Sequence, residues 1–156
     1  MSGRVSLRPV KRSDLPLIET WYEEARAAAY AERPLQQRFE EAKAAGCDLQ
    51  AIVDKEGEIV GLLDYRVDDP AEGWVTNVLL TLAAGRRGWG YGSEAVRRLE
   101  EKHKRSRFLA QIDVRSGLGL YFWLRLGYRP AHPSEVFWRP SERNAIIAMV
   151  RDFTAS

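Results

Sequence analysis

The sequence predicts an α+β fold, a central and mostly antiparallel sheet of about seven strands flanked by about four helices. Three observations carry that prediction. Strand-like runs recur at residues 5–9, 49–53, 59–67, 74–82 and 108–114. Apolar stripes of helical period fall between them, so that the elements read strand, helix, helix, three strands, helix, strand, helix, two strands. A glycine-rich run, Arg87-Gly88-Trp89-Gly90-Tyr91-Gly92-Ser93, joins the fourth strand to the third helix.

Each element has a local cause. Val5, Leu7 and Pro9 alternate with polar residues, as in an edge strand. Ser13 is placed to cap the first helix, with Asp14 in its first turn and Pro16 near its start. Leu17, Ile18, Trp21, Tyr22 and Ala25 make its apolar face, and it ends near Ala29. Pro34 opens a second helix, in which Leu35, Phe39 and Ala42 recur at helical spacing before Gly46 stops it. Asp54-Lys55-Glu56-Gly57 reads as a hairpin turn and residues 68–73 as a second turn, making 49–53, 59–67 and 74–82 an antiparallel meander. A helix over 93–104 then carries Ala95, Val96, Leu99 and His103 on one side. In 108–114, Phe108, Ala110, Ile112 and Val114 share one face, with Gln111 and Asp113 on the other. Residues 117–126 form a short apolar helix, and 134–139 with 144–150 a closing hairpin.

Composition bounds the function. A chain of 156 residues with 45% hydrophobic content is expected to form a single domain, residues 1–156, around one core. Cys47 is the only cysteine, which excludes an intrachain disulfide and a cysteine-ligated zinc site; with two histidines no metal site is expected. The start of the sequence lacks the apolar core of a signal peptide and no apolar run approaches 18 residues, so a cytoplasmic protein with no membrane partner is expected. A net charge of +2 from 24 basic and 22 acidic residues is nearly balanced. The cations Arg97, Arg98, Lys102, Lys104, Arg105 and Arg107 are interleaved with Glu94, Glu100 and Glu101 at helical spacing. They read as a solvated helix face rather than a nucleic-acid patch, so no nucleic-acid partner is expected.

The glycine run points to an anion. A helix start leaves backbone N–H groups without partners and concentrates positive potential. Glycines at alternate positions let a phosphate approach those amides, and Arg87 adds a fixed charge. A nucleotide P-loop needs Gly-Lys-Ser/Thr, and here Gly92-Ser93 is followed by Glu94; a dinucleotide fingerprint needs a third glycine one residue later. What remains is Arg-x-x-Gly-x-Gly, carried by Arg87, Gly90 and Gly92. It resembles the pyrophosphate loop of the GCN5-related N-acetyltransferases (GNAT). The likeness extends to the strand entering the loop, the helix leaving it, the next strand, and the sequence Leu126-Gly127-Tyr128. A glycine turn that merely caps a helix is the plainer alternative.

The resemblance implies an acyl-CoA N-acyltransferase fold and acetyl-CoA as cosubstrate, with a small-molecule or peptide amine as acceptor. It places the coenzyme against Leu80, Thr81 and Leu82, the loop Arg87, Gly88, Trp89, Gly90, Tyr91, Gly92 and Ser93, and against Ser116 and Trp123. The two N-terminal helices would wall the acceptor cleft, and the acids of residues 68–73 would draw a cationic amine. Direct attack by an amine needs a base and an acid. The family's glutamate on the strand entering the loop has no counterpart in 74–82, so Asp64 and Asp113 are the candidate bases. The family's tyrosine falls at Trp123, whose indole cannot protonate a thiolate, which leaves Tyr121 as candidate acid. Tyr121, Phe122 and Trp123 read equally as core. His103 reads as a buried imidazole, and His132 as a base only if its loop reaches the cleft. Two functions stay open: an N-acetyltransferase, and a non-catalytic acyl-CoA sensor or scaffold. Five scattered tryptophans leave both core burial and an aromatic interface in a homodimer open.

Overall fold

The computed structural model describes residues 4–88, 90–132, 134 and 146–152. In order these form β1 (Val5–Pro9), a 3-10 turn (Arg12–Asp14), α1 (Leu15–Ala28), α2 (Leu35–Ala44), β2 (Gln50–Asp54), β3 (Ile59–Val67), β4 (Trp74–Leu82), α3 (Tyr91–Lys102), β5 (Arg107–Asp113), α4 (Gly117–Arg125), β6 (Arg129–Pro130) and β7 (Ile146–Arg151). The strands make one sheet in the order β1-β2-β3-β4-β5-β7-β6. Every neighbouring pair is antiparallel except β4 and β5, which run parallel. This is the α+β architecture that the order of elements predicts.

The turns form for visible reasons. In the β2–β3 hairpin, Asp54 Oδ1 accepts the N–H groups of Glu56 and Glu58 at 3.0 and 2.9 Å, and Gly57 takes φ +83°. α2 stops where Gly46 turns left-handed at φ +74° and the Cys47 N–H returns to the Ala42 carbonyl at 2.9 Å, the closure that satisfies orphan carbonyls at a helix end.

Three local expectations are corrected, and one is left outside the described residues. Asp14, not Ser13, secures the entry to α1: its carboxylate accepts the Lys11 N–H at 2.7 Å and the Arg8 guanidinium at 2.8 and 3.1 Å, which shapes a 3-10 turn before the helix. α3 begins at Tyr91, two residues earlier than the apolar stripe suggests, because Gly90 supplies the left-handed cap at φ +82°. β5 ends at Asp113, so Val114 is exposed. β7 finds its partners in β5 and in the two-residue β6; of the expected hairpin, residues 135–145 lie outside the described residues.

Both faces of the sheet are covered. On one, Ala95, Val96 and Leu99 of α3 and Trp123 of α4 pack on Val75, Ala110 and Ile112. On the other, Ile18 and Tyr22 of α1 and Leu35 and Phe39 of α2 pack on Ala51, Leu62 and Leu79. Burying each such large apolar side chain is worth about 1.5–3 kcal/mol relative to leaving it in water. No helix among the described residues is long and apolar enough to cross a membrane.

Candidate active site

The parallel pair is where the sheet opens. β4 and β5 are in register only from Trp74↔Arg107 to Asn77↔Ala110, although β4 runs on to Leu82 and β5 to Asp113. At the point of separation β4 carries a bulge. Its pairing with β3 passes from Tyr65↔Asn77 to Asp64↔Leu79 and skips Val78. A bulge of this kind bends its strand and raises the local twist. A cavity of about 930 Å³ fills the resulting V, reaching from Arg87 and Gly92 past Leu80 and Ile112 to the α1–α2 connection. Along the opened edge of β4 the backbone groups that would have bonded β5 have no strand partner.

The glycine run closes one end of this cavity. Glu94 is the first residue of α3 to bond within the helix, its N–H reaching the Gly90 carbonyl at 3.1 Å. The N–H groups of Tyr91, Gly92 and Ser93 therefore lack helical partners at the positive end of the helix. Gly92 lines the cavity, and a Cβ there would stand 3.4 Å from the Phe122 ring and 3.6 Å from Leu80. Arg87 also lines it, its guanidinium holding Glu24 of α1 at 2.9 and 2.7 Å and the Leu82 carbonyl at 3.1 Å. That contact raises the Arg87 pKa and lowers that of Glu24.

The rest of the expected coenzyme set divides. Leu80, Thr81, Leu82, Ser116 and Trp123 line the cavity. Thr81 donates its hydroxyl to the Ala25 carbonyl at 3.2 Å, and Ser116 caps α4 by accepting the Gly119 N–H at 3.0 Å. Trp123 is buried edge-on to Phe122 and Tyr128, with ring centroids 5.2 and 4.8 Å away. Tyr91 turns its ring into the core under the Arg4 guanidinium. Gly88, Gly90 and Ser93 are placed in the loop and the first turn of α3 without lining the cavity, and Trp89 lies outside the described residues.

The three candidate catalytic side chains are not brought together. Asp64 is fully buried and does not line the cavity. Its two oxygens are held by Arg38 Nη1 at 3.0 Å and Arg66 Nη1 at 2.6 Å. Asp113 does line the cavity, but Arg115 clamps it with Nε and Nη2 at 2.9 and 2.8 Å and adds its backbone N–H at 2.9 Å. The guanidinium hydrogen bonds pull the Asp113 pKa down to about 2. Tyr121 is 59% exposed, lies under Arg125 and is not part of the cavity wall. Neither histidine lines it: His103 packs on Tyr65, where burial lowers its pKa, and His132 contacts Ser134.

Other residues take those places. Asn77, at the apex of the V, lines the cavity and is 6% exposed, and neither atom of its amide has a hydrogen-bond partner. Gln111 lines the wall from β5, while Glu32 and Arg38 line it from the α1–α2 connection and α2. Arg115 stacks over the Tyr30 ring at 4.4 Å, so β5 and the end of α1 meet across the mouth. The turn at residues 68–73 does not reach the cavity, which corrects the expected approach route for a cationic amine. In the sequence Asn77 stands with Thr76 and Thr81 as a polar but non-acidic residue of the strand, with nothing to single it out; Glu32 carries no pattern, because it belongs to a loop. Among the described residues no group of three or more His, Cys, Asp or Glu is gathered as a metal site.

Comparison with known proteins agrees with this geometry. Residues 15–128 match the profile of the acetyltransferase (GNAT) family. No curated protein matches the sequence significantly. Among solved structures, an acetyltransferase from Thermus thermophilus superimposes with a TM-score of 0.75 at 18% identity, covering 96% of this chain and 97% of that one. Naa50 of Arabidopsis thaliana, bound to the bisubstrate analogue CoA-Ac-MVNAL, gives 0.69 at 16% identity, covering 97% and 100%. Spermidine N-acetyltransferase of Vibrio cholerae, bound to CoA and spermine, gives 0.73 at 13% identity, covering 96% of each. At these identities the likeness is one of fold.

Proposed function

The chain belongs to the GNAT acetyltransferase family, and from that premise we propose that it is an acetyl-CoA-dependent N-acetyltransferase, acting on a primary amine by direct attack in a ternary complex. One observation carries the reading: the V between β4 and β5 opens in line with the glycine loop at the start of α3. The loop amides and Arg87 suit the pyrophosphate. The free edge of β4 offers the pantetheine arm main-chain partners of the kind a neighbouring strand would supply. The thioester then lies toward Asn77 and Val78, where the same edge presents N–H groups to the developing oxyanion.

In this arrangement the amine enters from the α1–α2 side. Its lone pair forms the C–N bond, the carbonyl closes again with cleavage of C–S, and the thiolate leaves. The amine gives up one proton and the thiolate takes one. Two carboxylates line the wall among the described residues: Asp113, clamped by the Arg115 side chain, and Glu32, which lies within electrostatic reach of the same guanidinium. Glu32 is the base in this proposal, directly or through one water. Tyr121 faces away and the Tyr30 ring on the cavity wall is stacked under Arg115 at the mouth, so in this proposal the thiolate takes its proton from water.

That neither candidate acid, Tyr121 nor Trp123, can serve from the cavity wall is the specific observation favouring the second reading, an acyl-CoA sensor or scaffold that binds without turnover. Calorimetric titration with acetyl-CoA, beside a Gly90→Trp variant, followed by amine-dependent release of CoA, separates the two. Binding lost in the variant together with release of CoA supports the enzyme. Binding without release under any amine supports the sensor, and no binding refutes both.

A further inference from the structure

The acceptor end of the cavity is cationic at its floor. Arg38 is 4% exposed and lines the cavity. Two of its three nitrogens are fixed: Nε donates to the Tyr22 hydroxyl at 2.9 Å and Nη1 to Asp64 at 3.0 Å. Nη2 makes no hydrogen bond, and it is not among the sealed, unpartnered polar atoms, which among the described residues belong to Asn77 and His103. Nη2 is therefore an unused donor pair on a residue of the cavity wall.

Arg38 and Arg66 share the buried carboxylate of Asp64, and the further carboxylates near this end are Glu32 on the cavity wall and Glu41, which acts on both arginines from a distance. Glu41, the next carboxylate on α2, is exposed and paired with Arg33 at 3.2 Å. Across the mouth Arg115 already neutralises Asp113. A guanidinium held in a fixed plane with one nitrogen unused suits an oxyanion such as a carboxylate. A polyamine would bring further positive charge to the same floor.

We infer that the acceptor is a compact amine bearing a carboxylate, of the class of free amino acids, and that Arg38 binds that carboxylate through Nη2 while its amino group faces the thioester. Asp64 and Tyr22 are the positioning residues that hold the guanidinium plane. The inference rests on the acetyltransferase reading and names its substrate class.

The test starts with wild-type protein. Binding of acetyl-CoA is measured first, because its absence would remove the acetyltransferase reading itself. Release of CoA is then followed with the twenty free amino acids, with the carboxamide of each, and with spermidine. The expected result is turnover of at least one amino acid with kcat/KM about 100-fold above its carboxamide. In Arg38→Lys, which keeps the charge and loses the fork, KM for that amino acid rises about tenfold or more, the preference over the carboxamide collapses, and the acetyl-CoA dissociation constant is unchanged. Equal use of acid and carboxamide, preference for spermidine, or turnover of a carboxamide or spermidine with no amino acid used would each overturn the inference and leave the acetyltransferase reading standing, whereas acetyl-CoA binding with no turnover of any of these amines would overturn both.

Discussion

Asp64→Asn distinguishes a buried structural carboxylate from a catalytic base. The carboxylate has no exposure, and its partners Arg38 and Arg66 are 5% and 15% exposed at the side chain. Removing its charge strands two guanidiniums where water cannot compensate, a loss of about 3–5 kcal/mol when a buried pair is broken from one side. Domains of this size have about 5–15 kcal/mol in all, so the variant should remain folded at low temperature but with little reserve. In thermal unfolding it should melt about 6–20 °C below wild type, at roughly 2–4 °C per kcal/mol. Urea titration should show the midpoint falling with the slope unchanged. Because Asn keeps the volume and one acceptor oxygen, the change isolates the charge. A variant within about 1 kcal/mol of wild type in stability, yet slowed 100-fold or more in kcat, would refute this reasoning and restore Asp64 as the base.

Three further outcomes are expected. Gly92→Ala should leave stability near wild type, since its Cβ meets Phe122 at 3.4 Å, whereas Gly92→Val should fill the coenzyme slot and weaken acetyl-CoA binding in calorimetry at least tenfold, a loss of about 1.4 kcal/mol. In Arg115→Ala the Asp113 carboxyl, held at about 2 by its guanidinium bonds, should titrate by NMR near the ordinary value of about 3.9. Its folded pKa is depressed, so the pair's contribution to stability is present above the unfolded pKa and disappears as pH falls through about 2. Glu32→Gln should lower kcat by about 100-fold or more without changing acetyl-CoA affinity; an unchanged kcat would dismiss Glu32 as the base.

What was legible in the sequence was whatever depends on near neighbours. Strand β4 and the stops at Gly46 and Gly57 follow from local patterns, and so does the glycine run whose Gly90 caps α3. The rotation between Tyr121 and Trp123 could also be read. Two residues on a helix are separated by about 200°, so with Trp123 turned inward Tyr121 must face solvent. The catalytic side was not legible because its meaning lies in partners distant in sequence. Asp64 looks like a polar strand residue until Arg38, on α2, closes over it. Arg66, two residues on and therefore on the same face of β3, was the one hint of an ion pair. Glu32 and Arg38 reach the cavity wall only because α1 and α2 pack on the sheet beside it.

The bulge at Val78 explains why one strand can serve both halves of the site. Before it, Val75 and Asn77 point to the face covered by α3 and α4; after it, Leu80 and Leu82 point to that same face, while Leu79 joins the core beneath α1 and α2 and Thr81 bonds to α1. Simple alternation would have reversed the second set, because a slip of one residue exchanges the faces of a strand. Leu80 and Leu82 would then have met α1, and Thr81 the coenzyme loop. The same extra residue turns β4 away from β5 just past Asn77↔Ala110, so the feature that keeps the leucines in the core also opens the slot. Both β4 and β5 retain an antiparallel neighbour on their outer sides, β3 and β7. The parallel ladder between them can therefore end early without leaving either strand unsupported. The cavity thus sits where the sheet can part without unravelling.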